Sequence, residues 1–414
     1  MEQHGKRVAA AHELTREHSA DRLLPRLAAN EKTLVEACAL LARSAEAHRR
    51  VTPAGEWLLD NFHLIEEEIR TAKRHLPPGY SRELPRLANG IHAGFPRVYD
   101  LALYAVAHGD GRLGRGMLTR FVASYQTVES LQLGELWAIP IMLRLALIEN
   151  LRRVAARVAA SLIARDIAGQ WADRMLDVAD RDPKGLILVV ADMARSEPPM
   201  TASFVSELSR RLQGRSAALA LPLSWAELLL AENHQTIEQL VQAEGQSQAA
   251  AQVSVSNSIG SLRLLGAMDW REFVEALSTV ENTLRDDPLG VYARMDFGTR
   301  DRYRHAVERI ARNSAASEPE VARAAIELAG TASPASESDD THRQHVGYYL
   351  IDAGRADLER LVHVRTGRWE RLQRVAARRP ALWYGAAIVS MTLVLAAWTA
   401  YLASTGLQIG RAHV

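Results

Sequence analysis

Apolar positions recur along this chain at three- and four-residue spacing, the pattern of amphipathic helices rather than strands. The densest stretch covers 134–153, Gly-Glu-Leu-Trp-Ala-Ile-Pro-Ile-Met-Leu-Arg-Leu-Ala-Leu-Ile-Glu-Asn-Leu-Arg-Arg. Between Glu135 and Leu151 its only charges are Glu135, Arg144 and Glu149. Leu143, Leu147 and Leu151 share one helical face, and Ile141, Leu145 and Ile148 fill the adjoining one. A helix apolar nearly all round is buried, in protein or in membrane. The longest uncharged run here, 136–143, is far short of the ~20 residues a bilayer span needs. The stretch therefore reads as the central helix of a soluble helical domain. Pro140 cannot donate to the carbonyl of Leu136, which predicts a kink or a second helix start.

Other elements fall on either side of it. Residues 1–30 are polar without a clear period and predict a poorly ordered lead-in. Asn30 is a candidate N-cap for a helix over 31–49, with Leu34, Cys38 and Leu41 on its apolar stripe. A helix over 56–75 carries Trp57, Leu58, Phe62, Ile65 and Ile69 and is closed by Pro77-Pro78-Gly79. After a broken stretch over 80–96, helices are expected over 99–108, 117–128, 171–178, 202–212 and 225–244. Residues 186–190 are the one strand-like run, and one strand makes no sheet. Residues 252–260 read as a polar, serine-rich connector. Helix resumes over 262–268, 270–285 and 300–312. Residues 313–342, ending in Ser333-Pro334-Ala335-Ser336-Glu337-Ser338-Asp339-Asp340, predict an exposed loop.

Composition adds room and a compartment. The chain has 414 residues, 48% hydrophobic, with a formal net charge of +1. Near-neutral charge argues against a nucleic-acid partner. A single cysteine, Cys38, excludes an internal disulfide and any multi-cysteine metal site. No apolar run follows the first residues, so no signal peptide is expected. Residues 381–406 carry no charge and, at ~1.5 Å per residue, reach about 39 Å as a helix, enough to cross a ~30 Å hydrocarbon core. Trp383, Tyr384, Trp398 and Tyr401 sit toward its ends, as at membrane interfaces. Arg365, Arg368, Arg371, Arg374, Arg378 and Arg379 precede it, opposed only by Glu370. The positive-inside rule then makes the preceding part cytoplasmic. The arginine stripe also fits an interfacial helix on anionic headgroups.

Three motifs bear on chemistry. Gly109-Asp110-Gly111-Arg112-Leu113-Gly114 satisfies the dinucleotide pattern G-x-G-x-x-G, but a helix precedes it where the mechanism needs a strand. It reads as a helix–helix turn. Asp180-Arg181-Asp182 resembles the aspartate pairs that hold a divalent ion on a nucleotide-sugar diphosphate. Its place at a helix end before Pro183 favours a turn. His63, Glu66 and Glu67 have ligand spacing on one helical face without a second histidine at a matching offset. No P-loop, HExxH or nucleophile elbow is present. Glu135, Arg144 and Glu149 are expected to be buried or half-buried pair-formers, because an unpaired buried charge is costly.

Several longer strings resemble the N-terminal region of cyclic β-1,2-glucan synthases. They are 57–70 (Trp-Leu-Leu-Asp-Asn-Phe-His-Leu-Ile-Glu-Glu-Glu-Ile-Arg), Arg82-Glu83-Leu84-Pro85-Arg86-Leu87, Pro96-Arg97-Val98-Tyr99 and 133–153. Further on lie 286–297 (Asp-Asp-Pro-Leu-Gly-Val-Tyr-Ala-Arg-Met-Asp-Phe) and Thr299-Arg300-Asp301-Arg302-Tyr303-Arg304. The resemblance is strongest over about 55–165 and 250–312. It implies a very large bacterial inner-membrane glucosyltransferase that takes UDP-glucose on the cytoplasmic side, with a divalent metal at its catalytic site. It extends a glucan attached to itself and releases a ring. That machinery lies downstream of the matching region, so no catalytic, cofactor-binding or metal residue is assigned within these residues.

The expected fold is all-α: a multi-helix cytoplasmic region followed by one C-terminal transmembrane helix. Its parts are a lead-in over 1–30, a helical domain over 31–312 with a sub-boundary near 215–250, and the loop over 313–342. A helix and basic juxtamembrane segment follow over 343–380, then the transmembrane helix over 381–407. Residues 409–414 can be encoded by ATC-GGA-AGA-GCA-CAC-GTC, which reads like a sequencing adapter and predicts an artefact. The expected partners are the lipid bilayer and the missing downstream catalytic domains, which the helical region would brace. The alternative is a stand-alone, tail-anchored helical interaction scaffold. A further alternative is a soluble enzyme with a metal at 63–67.

Overall fold

The computed structural model describes residues 2–15, 20–77, 79–331, 341–365 and 380–409. They form two compact units, 1–278 and 279–414. The division falls inside the interval 31–312 that periodicity alone groups together.

In the first unit the helices are α1 (Glu2–Ala11), α2 (Leu23–Glu46), α3 (Pro53–Asp60), α4 (Phe62–His75), α5 (Arg97–His108) and α6 (Arg115–Gln126). They are followed by α7 (Leu133–Arg181), α8 (Leu186–Arg195), α9 (Ala202–Leu212), α10 (Ala220–Ala231), α11 (Ile237–Ala267) and α12 (Trp270–Leu277). Two short antiparallel strands, β1 (Leu14–Thr15) and β2 (Arg86–Leu87), pair with Leu14 opposite Leu87. The stretch read as a central helix is the first two-fifths of α7, a helix of 49 residues, about 74 Å long. It begins at a capping box: the Gln132 side chain accepts from the Glu135 amide, and the Glu135 carboxylate accepts from the Gln132 amide. The helix continues through Pro140, so no second helix starts there.

Helix α7 serves two hydrophobic cores in succession. From Leu133 to Leu162 it packs with α2, α4, α5, α11 and α12, and Leu143, Leu147, Ile148 and Leu151 are buried. From Ala164 to Ala179 it packs with α8 and α9, closing a second core around Met175, Met193 and Phe204. The change is legible in side-chain size. Large aliphatics dominate the first half, whereas Ala164, Ala168, Gly169 and Ala172 let neighbouring helices approach the second.

Several expectations need correction. The lead-in over 1–30 is largely ordered: α1 covers Glu2–Ala11 and α2 starts at Leu23, with Val8, Ala9, Leu23 and Leu27 buried. The strand-like run at 186–190 is the start of α8. Leu186, Val189, Val190 and Met193 face the second core at helical spacing. The connector over 252–260 lies inside α11, where Ser254, Ser258 and Ser261 are buried at helical spacing. Serine is a weak helix former by itself; here tertiary contacts decide.

The second unit contains α13 (Thr279–Leu284), α14 (Phe297–Arg312), α15 (Glu318–Thr331), α16 (Val346–Ile351), α17 (Arg355–Leu361) and α18 (Pro380–Ile409). The loop expected over 313–342 is corrected by α15, whose Val321, Ala322, Ala325 and Ala329 are all fully buried. Alanine carries a weak hydropathy signal but permits close helix contact, which is why this helix escaped periodicity. The serine-rich string 333–340, most of the basic segment and 410–414 lie outside the described residues.

The expected transmembrane helix is also corrected. Among the described residues, no helix is long and apolar enough to cross a membrane. The expected placement as a single inner-membrane span falls with it. All-α architecture stands; the span does not.

Candidate functional site

The first turn of α5 gathers the densest set of buried charges in the first unit. Arg97, Tyr99 and Asp100 are all buried, and each leads to a different partner set. Pro96 precedes the helix, and Asp100 in its first turn suits the positive end of the helix dipole.

Arg97 reaches Glu135 at the start of α7. Its Nε and Nη2 each donate to one carboxylate oxygen at 2.6 Å, and Nη2 also donates to the Ser130 carbonyl at 2.7 Å. The two side chains are 2% and 0% exposed. Burial would lower the pKa of the Arg97 guanidinium, but its paired bonds to Glu135 and that carboxylate's charge outweigh burial and raise it. The same Glu135 closes the α7 capping box, accepting from the Gln132 amide at 2.9 Å. One carboxylate therefore both starts the central helix and ties it to α5.

Tyr99 donates to Glu149 at 2.7 Å, and Arg26 of α2 donates to the same carboxylate through Nε at 2.6 Å and through Nη2. The Arg26 guanidinium also lies over the rings of Phe95 and Tyr99. Burial alone would push the Glu149 carboxyl up. Hydrogen bonds from Arg26 and Tyr99, with the Arg26 charge, hold it below the usual carboxylate range instead. Lower on α7, Arg144 pairs with the buried Glu68 of α4.

Asp100 is bracketed by two histidines from distant parts of the sequence. His12, just after α1, approaches Oδ2 through Nε2 at 2.9 Å, and His92 approaches Oδ1 through Nδ1. A carboxylate only accepts, so both facing nitrogens carry the proton. The Tyr125 hydroxyl lies 2.9 Å from the remaining ring nitrogen of His12. Burial pushes that hydroxyl up to about 12, so it keeps its proton and can donate. For Asp100, burial is again outweighed by the two histidine hydrogen bonds, and its pKa is lowered.

The former dinucleotide candidate has a structural explanation. Gly111 has φ +80, and a Cβ there would lie 2.3 Å from Ser258 Oγ. Ser261 Oγ accepts from the Leu113 amide at 2.8 Å and donates to the Gly111 carbonyl at 2.7 Å. Asn150 of α7 donates to both Ser254 and Ser258, at 3.0 and 2.9 Å. The glycine turn is thus docked on the serine face of α11, a contact that only a residue without Cβ and with free φ makes.

The second unit repeats the theme within itself. Glu281, fully buried, accepts from Tyr292 OH at 2.7 Å, Arg304 Nη1 at 2.7 Å, Arg285 Nε at 3.0 Å and Arg300 Nη1 at 3.1 Å. Asp287 accepts from the amides of Val291, Tyr292 and Val346 at 3.0, 3.3 and 2.9 Å and lies 3.0 Å from His345 Nδ1. Burial raises both carboxyls in isolation. Hydrogen bonds from Tyr292 and Arg285, with the charges of Arg304 and Arg300, lower Glu281; the His345 and Val346 bonds lower Asp287.

The remaining candidates lie apart. His63, Glu66 and Glu67 are exposed on α4, while Glu68 beside them is turned inward. Among the described residues, no group of three or more histidine, cysteine or acidic side chains could hold a metal ion. Asp180 and Asp182 sit where α7 ends, and Asp182 accepts from the Lys184 amide at 3.2 Å, capping a short 3-10 turn. Cys38 is buried, and burial pushes its thiol up to about 11, out of the nucleophilic range. A small recess between α3, α7 and α11, lined by Thr52, Arg157, Val158, Glu244, Gln248 and Ala251, has room for about one water.

Sequence spacing anticipated that Glu135, Arg144 and Glu149 would be paired, and each is. It missed the partners. His12 and Asp100 are 88 residues apart, and nothing local signals their meeting. The Asp286-Asp287-Pro288 turn was a usable signal for Asp287, because aspartate before a turn accepts backbone amides. Chemically, these carboxylates are occupied on both oxygens by fixed donors, which suits them to holding helices in register.

No protein-family model matches the chain. Over 334 residues, 80% of its length, it is 34% identical to the cyclic beta-(1,2)-glucan synthase NdvB of Rhizobium meliloti (strain 1021). The chain spans about 12% of the length of that relative.

Proposed function

We propose, from the premise that this chain is related to part of a cyclic β-(1,2)-glucan synthase, that it is a non-catalytic bracing region of a much longer glucosyltransferase. The observation that carries the reading is the match itself, which takes in most of this chain and a small share of the relative. The buried ion pairs add to it. Arg97–Glu135, Arg26–Glu149 and Arg304–Glu281 spend their hydrogen-bonding capacity between helices rather than toward an open cleft. In this reading UDP-glucose, and any divalent ion on its diphosphate, bind to domains outside these residues.

The test is glucosyl transfer. The purified 414-residue protein, given labelled UDP-glucose and Mg²⁺, is expected to incorporate no label. The full-length synthase carrying the same residues is expected to do so. Incorporation by the 414-residue protein alone would overturn the assignment.

A further inference from the structure

The buried carboxylates around α5 are neutralised in two different ways. Glu135 faces Arg97 and Glu149 faces Arg26, each through paired bonds from a guanidinium whose charge is permanent. Among the described residues no arginine bonds to Asp100. Its two oxygens face only the imidazoles of His12 and His92, and its side chain is 9% exposed. A buried carboxylate without a counter-charge is costly. Here the counter-charge has to come from a proton on a histidine.

We propose that this cluster is a one-proton clasp. It takes up a single proton, at Nε2 of His92, and the imidazolium–carboxylate pair so formed holds the loop over 88–96 against α5, while His12 stays neutral.

The far nitrogens of the two rings decide which of them accepts. His12 donates from Nε2 to Asp100, and its Nδ1 lies 2.9 Å from the Tyr125 hydroxyl. Burial pushes that phenol up to about 12, with the Arg97 charge acting the other way, so the hydroxyl keeps its hydrogen and donates it to Nδ1. A proton on Nδ1 would place two hydrogens in one contact. The phenol would have to turn its own away, yet Tyr125 is fully buried and water cannot receive it. The new charge would also face the Arg97 guanidinium, which lies over the same ring at 5.9 Å. His92 has neither obstacle. Its Nδ1 meets Asp100, its Nε2 has no hydrogen-bond partner among the described residues, and its side chain is 16% exposed against 5% for His12.

The other charges near the cluster are already matched. Arg97 of α5 is paired with Glu135 of α7 and approached by Glu129, and Arg26 of α2 is paired with Glu149 of α7. Arg86 of β2 spends its donors on the carbonyls of Ala20, Gly94 and Ser81 and on the Ser81 hydroxyl, and the Asp21 charge acts on it. The rings that flank His92, Phe95 and Tyr99, stand edge-on to it.

Little else holds the loop. Gly90 and Gly94 have φ of +77 and +82, and Ile91 at its tip is 94% exposed. Among the described residues, His92–Asp100 is the one side-chain hydrogen bond from 88–94 to α5. A charge-assisted bond is about twice as strong as a neutral one. The loop is therefore held more firmly with the proton on than off, and it loosens as pH rises and the proton leaves. Acid strong enough to protonate Asp100 opens the clasp from the other side.

The test is ¹⁵N NMR of the histidine-labelled 414-residue protein from about pH 8 to about pH 5, the range in which histidines change charge. His12→Gln and His92→Asn assign the two rings. His12 is expected to keep the neutral pattern with hydrogen on Nε2 throughout, while His92 passes from neutral with hydrogen on Nδ1 to imidazolium. Hydrogen exchange of the 89–94 amides, corrected for intrinsic rate, should be about fivefold faster at the upper pH than at the lower. His92→Asn keeps a donor near the Nδ1 position but cannot titrate, so it should remove that difference. An imidazolium at His12, at both rings or at neither would overturn the proposal, as would equal exchange at the two pH values. These wild-type readouts stand whether or not the variants fold.

Discussion

Replacing Glu135 by leucine tests whether the α5–α7 pair is a structural staple. The substitution leaves the Arg97 guanidinium at 2% exposure with the Ser130 carbonyl at 2.7 Å and the half-exposed Glu129 at 3.5 Å. It also removes the acceptor for the Gln132 amide at the start of α7. Breaking a buried pair by removing one partner costs about 3–5 kcal/mol, and loss of a helix cap about 1 kcal/mol. The expected total is therefore about 4–6 kcal/mol. For a unit of this size one kcal/mol corresponds to roughly 2 °C, so Tm should fall by about 8–12 °C. Arg97→Met in the same chain removes the stranded charge and should recover about half of the loss, leaving the cap and the Ser130 carbonyl unsatisfied. Urea unfolding of the wild type, both single variants and the double variant closes the cycle. A single-variant cost below about 1 kcal/mol, or a double variant equal to the sum of the singles, would refute the assignment of coupling to this pair.

The remaining predictions concern the turn, the carboxylates and the thiol. Gly111→Ala forces a side chain into φ +80 and onto Ser258 Oγ, and should cost about 2–4 kcal/mol by urea unfolding. Ser258→Ala beside it should return only the steric part, and full recovery would refute the backbone argument. Glu149, Glu281, Asp100 and Asp287 all have lowered pKa values in the folded state. Their stabilisation is complete above the unfolded values near 4.5 and 3.8 and is lost as pH falls through the lower folded values. Urea midpoints should therefore decline from pH 5 downward, and Glu281→Gln should flatten that decline; a pH-independent midpoint between 5 and 3 would contradict it. Cys38 should resist a thiol-reactive dye at pH 7.5 in the native protein and react fully in denaturant, as burial and a pKa near 11 require. Rapid native labelling would show the thiol to be accessible.

Periodicity made the class of this fold legible because a helix with a large-aliphatic stripe announces its buried face. It worked best over 134–153, where Leu, Ile and Met dominate, and correctly marked Glu135, Arg144 and Glu149 as charges needing partners. It failed where burial is carried by small side chains. Ala322, Ala325 and Ala329 in α15 and Ser254, Ser258 and Ser261 in α11 have little hydropathy of their own. They are buried because another helix or turn comes close enough to meet them.

The sequence by itself determined the helical class, the central place of 134–153, the relationship to a glucan synthase and the need to neutralise three charges. Tertiary structure decided the partners, Arg97, Glu68 and Arg26, each of them 38 to 123 residues away. It decided that Gly111 serves a close contact rather than a nucleotide. It also withdrew the membrane span that a long uncharged run had suggested. The physical reason is common to all of these. Local spacing states which side of a helix avoids water, whereas the identity of a partner depends on the path of the whole chain.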